Sequence, residues 1–176
     1  MRSADASREL RIERGELWDW GHDMDKYSYS FDSRFGRIYI AESGGSITDV
    51  AFHPIHGCVE RETQLILKAA EMLREYFEGR RKVFDLPLDP RGTEFQKKAW
   101  DALLAIPYGQ TRSYKEQAQA VGNAKACRAV GAANGKNPIS IIIPCHRVIG
   151  TDKSLVGFGG GLDLKKALLD LELKFS

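Results

Sequence analysis

The sequence predicts an α/β protein of the α+β kind: an N-terminal antiparallel sheet plus helix, then a C-terminal winged helix-turn-helix unit. Three observations predict it. Apolar and polar residues alternate from Tyr27 through two turns, the period of half-buried strands. Two capping boxes, Thr93 with Gln96 and Ser113 with Glu116, open short helices in the second half. A tight break at Gly122–Asn123 then separates two such helices.

Residues 1–25 carry no clear periodicity and read as an N-terminal extension, although Trp18 and Trp20 point to packing of part of it. In "YSYSFDSRFGRIYIAES" the alternation runs on both sides of a turn around Asp32–Gly36, and "GGSITDVAFH" follows a Gly-Gly break. Together they predict a three-stranded meander. Leu65, Ala69, Met72, Leu73 and Tyr76 then recur at helical spacing, and Gly79 ends the helix. The stretch "RKVFDLPLDPRG", with two prolines and a glycine, is an extended connection. It divides a strand-and-helix domain at 26–86 from a second domain at 87–176.

Past the boundary, the first capping box opens a helix whose apolar face holds Phe95, Ala99, Trp100 and Leu103. The second opens a short helix through Val121, and a further helix is expected from about Lys125 to Asn134. The run Ile139, Ile141, Ile142 and Ile143 predicts a buried strand that Pro144 stops. A second strand near Arg147–Val156, with "GTDKS" as the joint, would complete a wing, and "LDLKKALLDLEL" predicts a closing amphipathic helix.

A chain of 176 residues suits one domain of ordinary size or two small ones sharing an interface. Its 43% apolar content supports a core. No apolar run approaches the roughly 18 residues of a membrane span. The charged N-terminus does not read as a signal peptide, and three cysteines make no disulfide framework. An intracellular, reducing compartment is therefore expected. Charge is unevenly spread: residues 1–90 carry a net −4 and residues 91–176 a net +6. The second lobe is the one expected to meet a polyanion.

The second helix of the pair, "AKACRAVGAANG", has almost no bulky side chains, and Arg128 projects from its middle. It has too few donors to read base edges in a major groove. Small residues permit close backbone approach, which suits a minor-groove contact, with Arg128 filling the space of an extruded nucleotide. The alternative is a helix kept thin for internal packing, with Arg128 in solvent.

A strand needs the isoleucines but not the thiol and imidazole of Cys145–His146 that follow. A nucleophilic cysteine needs a nearby base or positive charge. Alternation in extended chain points these two side chains apart, so a bridging water is the expected relay. The histidine would need an anionic partner on its other nitrogen, and Asp163, Asp170 and Glu172 are the candidates on the closing helix. The plainer alternative is a buried core cysteine.

"IPCHRV", preceded by "NP" and by "RAVGAANG", resembles the O6-alkylguanine-DNA alkyltransferases, the methylated-DNA–protein-cysteine S-methyltransferase family. The resemblance extends through "YFEGRRKVFDLPLDPRGTEFQKKAW", "IPYGQTRSYKE", "AVGNAKACRAVG" and "GFGGGLDLKKALLDLE", from about Tyr27 to Glu172. It implies a ribonuclease-H-like N-terminal domain and a catalytic, DNA-binding winged helix-turn-helix domain. It implies that Cys145 takes the alkyl group from O6 of guanine in a single turnover, activated by His146 through a water, with Glu172 orienting the histidine. Tyr114 would help rotate the nucleotide out and bond the leaving guanine. Lys165 lies in the pocket region, and Asn137 braces the turn between recognition helix and active site. Arg128 corresponds to the intercalating arginine. Lys115, Asn123 and Thr151, with Tyr114, stand at the positions of DNA contacts, and Val148, Phe158, Gly159 and Gly160 at the substrate pocket.

The implied partner is double-stranded DNA containing O6-alkylguanine, bound from the minor groove by a monomer, with no cofactor and no membrane. The implied location is cytoplasmic, or nuclear in a eukaryote. Two departures stand out: Phe158 replaces a tyrosine common in relatives, and Gly159 removes a hydroxyl that some of them carry. "HPIHGC" offers His53, His56 and Cys58 but no obvious fourth ligand, so no metal is expected. "GFGGG" lacks the spacing of a dinucleotide fingerprint. Two other readings compete: a lesion binder without repair, and a cysteine hydrolase built on Cys145, His146 and Glu172. A binder of that kind would lack the acceptor cysteine, and a hydrolase leaves the helix pair unexplained.

Overall fold

The computed structural model describes residues 26–176, so the expected N-terminal extension and the packing of Trp18 and Trp20 lie outside the described residues. The expected meander forms as β1 (Tyr27–Ser33), β2 (Gly36–Ser43) and β3 (Ser46–Ala51), all antiparallel. A two-residue strand, β4 (Val59–Glu60), joins β1 in parallel, giving the order β3-β2-β1-β4.

Helix α1 (Gln64–Phe77) is capped by Thr63, whose hydroxyl accepts the Ile66 N–H at 3.1 Å. It lays Ile66, Ala69, Ala70, Leu73 and Tyr76 against the sheet residues Ile38 and Ile40, all fully buried. Gly79 ends the helix with φ +77°, a conformation open to glycine at little cost. A side chain there would also collide with the ring of Phe175 at the far end of the chain.

The outer edge of β3 is covered twice, which removes an open strand edge. The connection between the halves runs along it, with Ile47 N–H donating to Pro87 O at 2.8 Å and Asp89 N–H to Ile47 O at 2.9 Å. Farther along, Val50 N–H donates to Pro138 O at 2.9 Å and Ser140 N–H to Val50 O at 2.8 Å. The isoleucine segment thus docks the second half of the chain onto the first, and one apolar cluster runs from Phe31 to Leu171.

Both capping boxes form. Thr93 caps α2 (Glu94–Leu104) and Ser113 caps α3 (Tyr114–Ala120), each with its reciprocal Gln96 or Glu116 bond. The next helix, α4 (Cys127–Gly135), starts two residues later than expected, after a break in which Gly122 has φ +84°. Its small residues serve two faces: Ala126, Val130 and Ala133 pack inward, while Arg128, Ala129 and Ala132 face solvent. Trp100 Nε1 donates to Ala133 O at 2.9 Å. The Gln117 and Asn134 amides exchange two bonds at 2.9 and 2.7 Å, clamping α3 to α4.

Two strand expectations need correction. The isoleucine run is buried as expected, with none of its four side chains above 5% exposed, but it is not a straight strand. Only a single bridge, Ile139 to Val50, joins it to the sheet. Ile142 N–H donates to Ser140 O at 2.9 Å around Ile141, whose φ is +73°. That is a γ-turn of the rarer, positive-φ kind. A second, inverse γ-turn follows at Pro144 (φ −85°, ψ 65°), with Cys145 N–H donating to Ile143 O at 2.9 Å. Four isoleucines within five residues report burial, not direction, and a folded-back knot buries them as well as a strand does.

The second expected strand is also different. β6 (Val148–Ile149) pairs in parallel with β5 (Arg112–Ser113), not with the isoleucines. "GTDKS" is a turn closed by Gly150 N–H donating to Ser154 O at 2.8 Å. The closing helix α5 (Leu162–Lys174) turns Lys165, Leu168, Leu171 and Glu172 inward.

Candidate active site

The two γ-turns deliver Cys145 into a single 3-10 turn, Cys145–Arg147, in which all three side chains are buried. The expectation of Cys145 and His146 alternating along extended chain is replaced by this turn. Asn137 fixes its approach: its Nδ2 donates to Ile143 O at 2.7 Å, and its Oδ1 accepts the Ile139 N–H at 3.0 Å.

His146 Nε2 lies 2.8 Å from Glu172 Oε1. Of the three carboxylates open on sequence grounds, Glu172 alone makes this contact: Asp163 is exposed, and Asp170 pairs with Lys166 at 2.6 Å in solvent. Glu172 is the hub of a buried cluster. Arg147 Nε donates to Oε2 and Nη2 to Oε1, both at 2.9 Å, and Arg147 Nη1 donates to Ile106 O at 2.6 Å. Gly109 N–H donates to Oε2 at 3.0 Å, and the Tyr76 hydroxyl donates to Oε1 at 2.7 Å. His146 Nδ1 is buried and takes no hydrogen bond among the described residues.

The electrostatics follow from this arrangement. Burial alone would raise the Glu172 carboxyl, but the His146 and Arg147 hydrogen bonds overcome it and hold it at about 2. Burial pushes His146 below its ordinary 6.5, against the pull of Glu172. The imidazole is therefore neutral near pH 7. Since Glu172 only accepts, the proton belongs on Nε2, and Nδ1 is left as a free lone pair. Burial also raises the Cys145 thiol above its ordinary 9.0, against the contributions of Asn137 and Lys165. The resting sulfur is a thiol, and forming the thiolate needs a base.

Lys165 is fully buried and spends its three ammonium hydrogens on backbone carbonyls: Val148 at 2.6 Å, Val156 at 2.7 Å and Gly157 at 3.3 Å. It ties α5, β6 and the following loop together. The Tyr114 hydroxyl donates to the same Val156 carbonyl at 2.9 Å. Phe158 meets His146 edge to face with ring centres 6.4 Å apart, and Val148 is fully buried. Gly160 is backed by Leu164 and Phe158, whereas Gly159 faces open space. A cleft of about 490 Å³ adjoins this region, bordered by Asn137, Gly159, Gly160, His53 and His56. No group of three His, Cys, Asp or Glu poised for a metal occurs among the described residues.

The residues expected to meet DNA lie outside this cluster. Arg128, Lys115, Asn123 and Thr151 are all exposed. Lys115 and Thr151 border one shallow groove of about 450 Å³ with Ser113 and Lys153. Asn123 Oδ1 accepts the Lys125 N–H at 3.1 Å.

Sequence reasoning missed Tyr76, Arg147 and Gly109 as members of the cluster. Tyr76 appeared only as an apolar helix position. The signal available was its hydroxyl, because a tyrosine on a fully buried face must find a partner. For Arg147 the signal was a cation inside an otherwise apolar buried segment, which requires a buried anion.

A buried thiol beside a histidine–carboxylate pair, joined to a helical half with a thin, arginine-bearing helix, defines a thiol protein with a nucleic-acid-facing lobe. Residues 26–90 match the family described as 6-O-methylguanine DNA methyltransferase, ribonuclease-like domain, and residues 94–174 its DNA binding domain. The chain belongs to the 6-O-methylguanine DNA methyltransferase family. It is 56% identical over 150 residues to the methylated-DNA–protein-cysteine methyltransferase of Mycolicibacterium paratuberculosis, covering 82% of this chain and 91% of that one. Its identity to the protein of the same name from Mycobacterium bovis is 45% over 148 residues, 81% and 90% of the two chains. The crystal structure of Mycobacterium tuberculosis OGT in complex with DNA superposes with a TM-score of 0.80 at 43% identity, over 85% of this chain and 94% of that one.

Proposed function

We propose that this chain repairs DNA by direct reversal, moving an alkyl group from O6 of guanine onto its own Cys145 sulfur. The family membership supports the reaction class. The observation that carries the residue assignment is the His146–Glu172 contact at 2.8 Å beside a buried Cys145. It leaves one imidazole nitrogen committed to the carboxylate and the other free to accept a proton.

In this reading His146 Nδ1 takes the thiol proton through a bridging water, which also satisfies a buried acceptor. The sulfur attacks the alkyl carbon, the S–C bond forms and the C–O6 bond breaks. The departing guanine is stabilised by the Tyr114 hydroxyl, which exchanges its bond to Val156 O for one to the base. The proton lost by the thiol ends on the guanine. The thioether is stable and no step restores the thiol, so each chain reacts once.

Lys165 holds Val148 of β6 and the loop that carries Phe158, Gly159 and Gly160, the walls of the base pocket. Asn137 holds the turn that carries the sulfur. Arg128 fills the gap left by the extruded nucleotide, with α4 against the minor groove. Lys115, Asn123 and Thr151 hold the phosphate backbone and set register without reading sequence. The chain acts as a monomer inside the cell on double-stranded DNA containing O6-alkylguanine, and no described helix is long and apolar enough to cross a membrane.

The test is stoichiometry. A duplex carrying labelled O6-methylguanine should leave one methyl group per chain, located on Cys145 by intact and peptide mass spectrometry. Cys145→Ala should bind the duplex and transfer nothing. Many turnovers per chain would indicate a hydrolase, and binding without transfer by the unaltered chain a lesion-recognition protein.

A further inference from the structure

We infer that Tyr76 is a positioning residue for alkyl transfer: its hydroxyl, supplied by the sheet-bearing half of the chain, sets the state of the Glu172–His146 pair. The inference deepens the reading above and rests on it.

Tyr76 projects from α1, 70 residues before His146 and 96 before Glu172, yet its hydroxyl lies 3.3 Å from His146 Nε2 and 2.7 Å from Glu172 Oε1. The three groups form a triangle. A buried tyrosine needs a partner, and a backbone carbonyl usually suffices. Here the partner is the same carboxylate oxygen that accepts His146. That oxygen also takes the Arg147 Nη2 bond, so Tyr76 and His146 compete for its lone pairs. Each bond donated to Oε1 withdraws negative charge that would otherwise favour imidazolium. The hydroxyl therefore adds to burial in keeping His146 neutral and able to accept a proton, and it fixes the rotation of Glu172.

The ring has its own neighbours. Phe77, Phe84 and Tyr108 lie 5.7, 5.6 and 5.9 Å from it, centre to centre. Removing the hydroxyl alone should leave that packing in place. The charged and titratable groups around His146 are Glu172 and Lys165 from α5, Arg147 and Cys145 from the turn, Tyr76 from α1 and Tyr108 from the loop before β5. Among them Tyr76 is the one from the first half of the chain. The geometry makes catalytic readiness in the second half depend on docking of the first.

The experiment is Tyr76→Phe in the full chain. The His146 ring is titrated by nitrogen-15 NMR, and the alkyl-transfer rate on methylated duplex is followed against pH. The His146 midpoint should rise by about 0.5–1 unit as the carboxylate draws the imidazole towards its charged form. The acid limb of the rate profile should rise with it, so the rate falls by up to about fivefold at pH 6.5, by more below that pH, and by less than about twofold at pH 8.5. DNA affinity should stay unchanged. A midpoint and profile that coincide with the parent's would overturn the inference. The unaltered chain gives a second reading that does not depend on folding of the variant: a slowly exchanging Tyr76 hydroxyl proton with a cross-peak to the His146 ring, whose absence also overturns it. If Cys145 proves not to be the alkyl acceptor, the NMR midpoint still reports on Tyr76, so the two failures are distinguishable.

Discussion

The Arg147 guanidinium lies along the Glu172 carboxylate, with two bonds of 2.9 Å, and both side chains are almost wholly removed from solvent. Such a pair is worth little against an apolar replacement of both members, because desolvation offsets attraction. Breaking it from one side is another matter. The turn that carries Cys145 is held to α5 through this contact and to the Ile106 carbonyl through Arg147 Nη1.

Arg147→Met should therefore cost about 3–5 kcal/mol in urea unfolding, since it strands a buried carboxylate. Adding Glu172→Leu should recover part of the loss, because the stranded charge is then gone. A cost below about 1 kcal/mol for the single variant would mean that the pair behaves as an exposed one.

Stability should fall in acid in two stages. The Glu172 carboxyl is held at about 2 against an ordinary 4.5, so its contribution is complete above pH 4.5 and is lost as pH falls through about 2. The difference corresponds to about 3 kcal/mol. His146 is pushed below 6.5 by burial, so the unfolded chain takes up its proton first, and stability begins to decline below pH 6.5. Urea midpoints measured from pH 8 to 3 should be flat at the top and slope downward through both windows. Glu172→Gln should flatten the lower one. The alkyl-transfer rate should hold down to pH 6.5 and fall beneath it; an acid midpoint above 6.5 would show that His146 is not the neutral base described.

The capping boxes, the meander and the end of α1 at Gly79 were legible in the sequence because each is decided within a few residues. Ser113 and Glu116 satisfy each other's backbone whatever the rest of the chain does. The reversal at Ile141 was not legible. A β-branched residue at positive φ costs on the order of 1–3 kcal/mol, and only tertiary burial on all sides holds it there. Nothing local announces that. Cys145, His146 and Glu172 were legible through the motif that carries them, but the motif is silent on Tyr76 and Gly109. These reach Glu172 from 96 and 63 residues away, and such pairings exist only once the two halves have packed.

Asn137→Ala tests whether the sulfur needs its brace. The amide ties Ile139 to Ile143 across the first γ-turn, just ahead of the residue that carries the sulfur. Its removal leaves the Ile139 N–H without a partner and the Ile143 carbonyl with the Cys145 N–H alone, at a cost of about 1–3 kcal/mol. Alkyl transfer should slow by more than the stability loss explains at temperatures where the variant is fully folded, because Cys145 is no longer held at one position. Unchanged single-turnover kinetics in folded protein would reduce Asn137 to a structural role.

Arg128 allows the cleanest separation of binding from extrusion. It stands exposed on α4 and makes no hydrogen bond or ion pair among the described residues, so Arg128→Ala should change stability by less than about 0.5 kcal/mol. Extruding a base costs a few kcal/mol of lost stacking and pairing, part of which an inserted guanidinium would return. Losing that return should slow repair of O6-methylguanine in duplex by about 10- to 100-fold, at roughly 1.4 kcal/mol per tenfold. Reaction with free O6-methylguanine base, which needs no extrusion, should be unchanged within about twofold if the site itself is intact. Salt dependence of duplex binding should change little, because the guanidinium sits in the stack and not on a phosphate. Equal slowing on duplex and free base would move Arg128 from the stack into the assembly of the pocket.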